Sequence, residues 1–76
     1  MESDCLKEVI SEILNVDINE ISEETTFLSD LGADSLDVFQ IIMGVEERLN
    51  IEIDPDEVEK IITVGEAVEL IRKYTE

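Results

Sequence analysis

Apolar residues fall at helical spacing in several stretches of this chain, separated by segments in which the period is lost. Leu6, Val9, Ile10, Ile13 and Leu14 recur on one helix face, which predicts an amphipathic helix over residues 4–15 with Ser3 or Asp4 able to cap it. From Val16 to Asp34 the period disappears, yet Val16, Ile18, Ile21, Phe27, Leu28 and Leu31 keep appearing among Asp, Asn, Ser and Thr. Spaced apolar anchors of this kind favour an ordered loop packed on a core over a disordered linker. Residues 35–50 carry the strongest helical signal, with Asp34 as N-cap, Asp37 in the first turn beside the positive end of the helix dipole, and Arg48 in the last turn. In Asp54-Pro55-Asp56-Glu57 the first Asp can cap, Pro suits the first helical position and Glu57 can complete a capping box, predicting a short helix before Val58, Ile61 and Ile62. Thr63-Val64-Gly65-Glu66 offers another capping box, and Val64, Ala67, Val68 and Ile71 then follow a helix face to about Tyr74. No segment alternates like a strand. The predicted fold is all-α: a small four-helix bundle of three longer helices and one short helix, with a long ordered loop between helices 1 and 2.

The second helix has one apolar stripe too many. At about 100° per residue, Val38, Ile41, Ile42, Val45 and Leu49 form a stripe that suits a core. Leu36, Phe39 and Met43 form another, displaced around the helix and flanked by Gln40, Glu46 and Glu47. Either the bundle surrounds this helix on two sides and buries both stripes, or the second is a docking surface whose acidic rim steers a basic partner while its centre supplies affinity.

Charge and composition narrow the chemistry. The chain has 76 residues, 43% of them hydrophobic, and a net charge of −16. Its apolar content is that of a globular domain, so it should fold despite the charge. Such a surface repels nucleic-acid phosphates and anionic lipids, attracts proteins rich in Lys and Arg, and favours a monomer. With no His and one Cys, the commonest general base and zinc ligand are missing and no internal disulfide can form. No acidic stretch matches a calcium loop, so no metal site is expected. Cys5 reads as a small hydrophobe on the first helix. The opening Met-Glu-Ser-Asp-Cys lacks the pattern of a secretion signal and no apolar run reaches the length of a membrane span, so stable membrane insertion is not expected and a cytoplasmic location is the default.

In Leu31-Gly32-Ala33-Asp34-Ser35-Leu36, a glycine and a small residue lead to a serine at the first turn of the long helix, where unpaired backbone N–H groups favour a phosphate. A serine there is often only a cap, but Asp34 is the better cap. No His is present to make Ser35 a nucleophile, so modification is the better reading of this residue.

The run Asp30-Leu31-Gly32-Ala33-Asp34-Ser35-Leu36-Asp37 resembles the attachment motif of the acyl carrier proteins. The resemblance extends over nearly the whole chain, through Glu46-Glu47, Ile51-Glu52-Ile53 and Thr63-Val64, so residues 1–76 are read as one phosphopantetheine-binding domain of the discrete, fatty-acid-synthase kind. It implies that a holo-synthase transfers 4'-phosphopantetheine from coenzyme A to the Ser35 hydroxyl and that acyl groups ride as thioesters on the terminal thiol; the serine is a substrate rather than a catalyst. It further implies that Asp34, Asp37, Glu46 and Glu47 meet basic patches on fatty-acid-synthesis enzymes around an apolar centre of Leu36, Phe39 and Met43. Val45, Ile53, Ile61 and Ala67 become candidates to line a shelter for acyl chains, a role that leaves them ordinary core residues as well.

The sequence departs from the commonest bacterial pattern in having Val38-Phe39-Gln40 where Thr-Val-Glu is usual, a glycine at Gly44 inside the helix, and Arg48 where an acid is common. These departures bear on which enzymes are served, leaving a polyketide or other specialised acyl pathway as an alternative. A cofactor-free acidic helical adaptor for basic proteins is the alternative of a different class.

Overall fold

A computed structural model of the chain describes residues 2–75. The elements run α1 (Glu2–Leu14), a single 3-10 turn (Ile18–Glu20), α2 (Ser35–Leu49), α3 (Pro55–Val58) and α4 (Val64–Thr75). There is no strand among the described residues. This is the all-α arrangement of three longer helices and one short one, with the long loop between α1 and α2. Helix α1 begins at Glu2, so Ser3 and Asp4 lie within it and neither caps it. Both α1 and α2 end where an asparagine takes the left-handed conformation, Asn15 at φ 58° and Asn50 at φ 56°, a conformation its short polar side chain tolerates.

The core draws Leu6, Val9 and Ile10 from α1, Val38, Ile41, Ile42 and Val45 from α2, and Val64, Ala67, Val68 and Ile71 from α4. Each set follows its helix period, and burying these aliphatic side chains is the main force holding the bundle. Ile13 departs from the expected stripe: it lies at the rim, 38% exposed. Gly44 explains how closely α1 and α2 approach, because a Cβ added there would lie 2.9 Å from Val9 Cγ1. The glycine weakens the helix by roughly 1 kcal/mol relative to Ala and in return admits the valine. At the solvent edge of the same interface Arg48 bridges to Glu8 at 3.3 Å and Glu12 at 2.7 Å, successive turns of one α1 face.

The long loop is ordered, but less through its apolar anchors than expected. Ile21 and Phe27 are buried and Val16 and Leu31 half-buried, whereas Ile18 and Leu28 face solvent. Backbone bonds to the connection between α3 and α4 supply the remaining order. Phe27 N–H donates to Ile62 O (3.1 Å), Val64 N–H to Thr25 O (2.9 Å) and Gly65 N–H to Glu23 O (2.9 Å), around an antiparallel bridge between Thr26 and Thr63.

Helix α3 is capped by Asp54, which accepts from Asp56 N–H at 2.9 Å, and has Pro55 in its first turn. Glu57 does not close the capping box predicted for it. Tyr74 Oη takes the Asp54 N–H instead (3.2 Å) and itself donates to Glu57 Oε2 (2.7 Å), while Lys73 Nζ reaches Glu57 Oε1 at 2.7 Å. A phenol and an ammonium on α4 thus replace the local bond. Hydrogen bonds from Lys73 and then Tyr74 hold the Glu57 carboxyl below the usual range, and the bond to Glu57 correspondingly raises Lys73. The capping box of α4 is present: Glu66 N–H donates to Thr63 Oγ1 (3.2 Å), and Glu66 Oε1 accepts from the N–H groups of Thr63 and Ile62 (both 3.0 Å).

Candidate functional site

The site is built around the start of α2. Asp30 Oδ2 accepts from Thr26 N–H at 2.9 Å, Gly32 takes φ +66° and Ala33 N–H donates to Phe27 O at 2.8 Å, together turning the loop into the helix axis. A side chain at position 32 would be strained in that left-handed conformation. Asp34 then caps the helix reciprocally with Asp37: Asp37 N–H donates to Asp34 Oδ1 (3.1 Å) and Asp34 N–H to Asp37 Oδ2 (3.4 Å). The sequence placed both acids in the right turn but not their mutual bond.

Ser35 follows at the first helical position, exposed to solvent. No group among the described residues hydrogen-bonds its hydroxyl, while the aspartates on either side are engaged by backbone N–H groups. The hydroxyl is therefore free to be modified, and no imidazole exists in the chain to activate it.

Beside Ser35 opens an apolar cavity of about 400 Å³, lined by Phe27, Ala33 and Val38, by Phe39, and by Val58 and Ile61. Leu28 (72% exposed) and Ile62 (65%) also line it and stand well out in solvent. Of the four residues predicted as an acyl shelter, Ile61 lines this cavity. Val45 and Ala67 are fully buried in the core, and Ile53 is buried beside a separate, shallow groove with Met43 and Glu46. The remaining lining escaped the sequence reading, which took Leu28 as an anchor packed on the core and grouped Ile62 with Val58 and Ile61.

The second stripe of α2 divides. Leu36 and Met43 are 65% and 58% exposed, so the bundle does not bury them. Phe39 instead is half-buried, packed against the core and lining the cavity. Among the acidic candidates Glu47 is exposed, whereas the half-buried Glu46 accepts from Ile53 N–H at 2.7 Å and so braces the segment after α2.

The residues fit a phosphopantetheine group: an exposed, unpartnered serine hydroxyl at a helix N-terminus, where phosphate is favoured, beside an apolar recess. Among the described residues no group of three or more His, Cys, Asp or Glu is placed to hold a metal ion. Nor is any described helix long and apolar enough to cross a membrane.

Residues 4–71 match the family model described as the phosphopantetheine attachment site. The chain is 54% identical over 68 residues to an acyl carrier protein of Wolinella succinogenes, covering 90% of each chain. It is 49% identical over 73 residues to one from Clostridium perfringens, covering 96% of each. Its fold is similar to a solved Mycobacterium tuberculosis structure assigned as an acyl carrier protein, with a TM-score of 0.87 and 29% identity over 96% of this chain and 97% of that one. This chain belongs to the acyl carrier proteins, which carry phosphopantetheine and act as carriers, not catalysts. Membership sets aside the reading as a cofactor-free adaptor.

Proposed function

We propose that this chain, as a single carrier domain, holds growing acyl groups on a 4'-phosphopantetheine arm at Ser35 and delivers them, as a cytoplasmic monomer, to enzymes of fatty-acid synthesis. The observation that carries the reading is the unpartnered Ser35 hydroxyl, presented at the reciprocally capped head of α2 beside an apolar cavity. In loading, Ser35 Oγ loses its proton and bonds to phosphorus, and the adenosine bisphosphate portion of coenzyme A leaves; the proton acceptor belongs to the holo-synthase, since this chain has no imidazole to take it. The arm supplies a terminal thiol on which an acyl group is held as a thioester. Asp34, Asp37, Glu46 and Glu47 support recognition of basic patches on the holo-synthase and synthesis enzymes, with exposed Leu36 and Met43 and the outer edge of Phe39 between them.

The test is intact mass before and after incubation with coenzyme A, magnesium and a holo-synthase. A gain of one phosphopantetheinyl group in the wild type and none in Ser35→Ala supports the assignment. No gain in a folded, initially unmodified chain, or an equal gain in Ser35→Ala, overturns it. Turnover of the loaded chain by fatty-acid elongation enzymes, set against polyketide enzymes, decides the pathway.

A further inference from the structure

We propose that Phe39 sets the length of acyl chain this protein can shelter, limiting it to short and medium chains. The inference rests on Ser35 as the attachment point. Ser35 and Phe39 are four positions apart on α2, one above the other on the same helix face, and both line the cavity. A chain led from Ser35 into the cavity along α2 therefore meets the Phe39 ring. That ring faces the cavity on one side and packs against the core on the other. One turn further along α2 lie Ile42, 2% exposed, and Met43, and neither lines the cavity, so the recess ends at the ring.

Phe27 also presents an aromatic ring to the cavity, but it is only 2% exposed and belongs to the fixed core. Phe39 instead is half-buried, at the edge of the core. Each methylene kept from water favours the sheltered state by about fourfold. The gain per carbon continues only while the chain finds room, and the ring ends it. A smaller residue would open the space in front of Ile42; a larger one would close the recess sooner.

The experiment loads Ser35 from butyryl-, octanoyl- and palmitoyl-coenzyme A with a holo-synthase. It then follows thioester cleavage by hydroxylamine and the Tm of each loaded form in wild type, Phe39→Ala and Phe39→Trp. In the wild type, protection and Tm should rise from butyryl to octanoyl and then level or fall at palmitoyl. Phe39→Ala should carry the rise on to palmitoyl, by about fourfold in protection for each further methylene accommodated. Phe39→Trp should bring the plateau to shorter chains, and it keeps the test decisive if the alanine variant folds poorly. Equal chain-length profiles in all three proteins, or a wild type that protects palmitoyl far better than octanoyl, would overturn the role of Phe39. Failure of Ser35 to take up any arm overturns the attachment reading itself, and the inference with it.

Discussion

The two sides of α2 are built differently. Toward α1 the interface is tight: Val9 fills the notch left by Gly44, Ile10 and Ile41 are fully buried, and Arg48 spans Glu8 and Glu12 at the edge. Toward α3 there is a cavity, a helix of only four residues, and apolar side chains left in solvent at Leu28, Leu36 and Ile62. Polar bonds from the end of α4 through Glu57 and the Asp54 N–H tie α3 in place. One side fixes the helix that presents Ser35, and the other leaves a cavity beside it. Cores tolerate such division because a well-packed region resists small displacements while a loosely packed one opens locally.

The largest effect that can break this contrast is on the tight side. Ile10→Ala should lower unfolding free energy in urea by about 3 kcal/mol, while Ile62→Ala on the open side should stay within about 0.5 kcal/mol of wild type; similar losses at both sites would show that the sides are equally packed. Next comes Gly44→Ala, where overpacking against Val9 outweighs the gain in helix propensity and should cost about 1 kcal/mol. In a Val9→Ala background the same change should stabilise, and a double-mutant cycle measures the coupling.

The smallest effect concerns the tie on α3. Because the Glu57 carboxyl is held below its ordinary range in the folded chain, its stabilisation is complete above the unfolded carboxylate pKa and is lost as pH falls through the folded value. Glu57→Gln should therefore melt below wild type at neutral pH, with the gap closing in acid, and should speed hydrogen exchange in α3 at neutral pH more than in α1. A Tm gap that persists in acid would mean that the charge on Glu57 contributes nothing.

What was legible in the sequence was what is local. The stripe of Val38, Ile41, Ile42 and Val45, the Asp34 cap and the Thr63–Glu66 box are set by neighbours within one or two helical turns, and each appears as predicted. The place of Ser35 in the first turn of α2 was legible for the same reason. The bonds tying the loop to the α3–α4 connection and the diversion of Glu57 to Lys73 and Tyr74 depend on partners far along the chain, which periodicity cannot see; the 3-10 turn is held locally by Asp17 and Ile18 but is too short to show a period. Phe39 shows the limit most clearly. Its helix face was read correctly as distinct from the core stripe, but whether that face meets solvent or a cavity depends on where α3 lies. The use of Gly44 was not legible because its counterpart, Val9, stands on another helix.

The bridge between Thr26 and Thr63 also has a consequence for the order in which the molecule comes into being. The turn that aims Ser35 is held from behind by residues that the ribosome adds well after the serine. Contacts between distant parts of a chain carry a loop-closure cost and form late. A nascent or truncated chain that stops short of Thr63 contains the serine but lacks the frame that orients it.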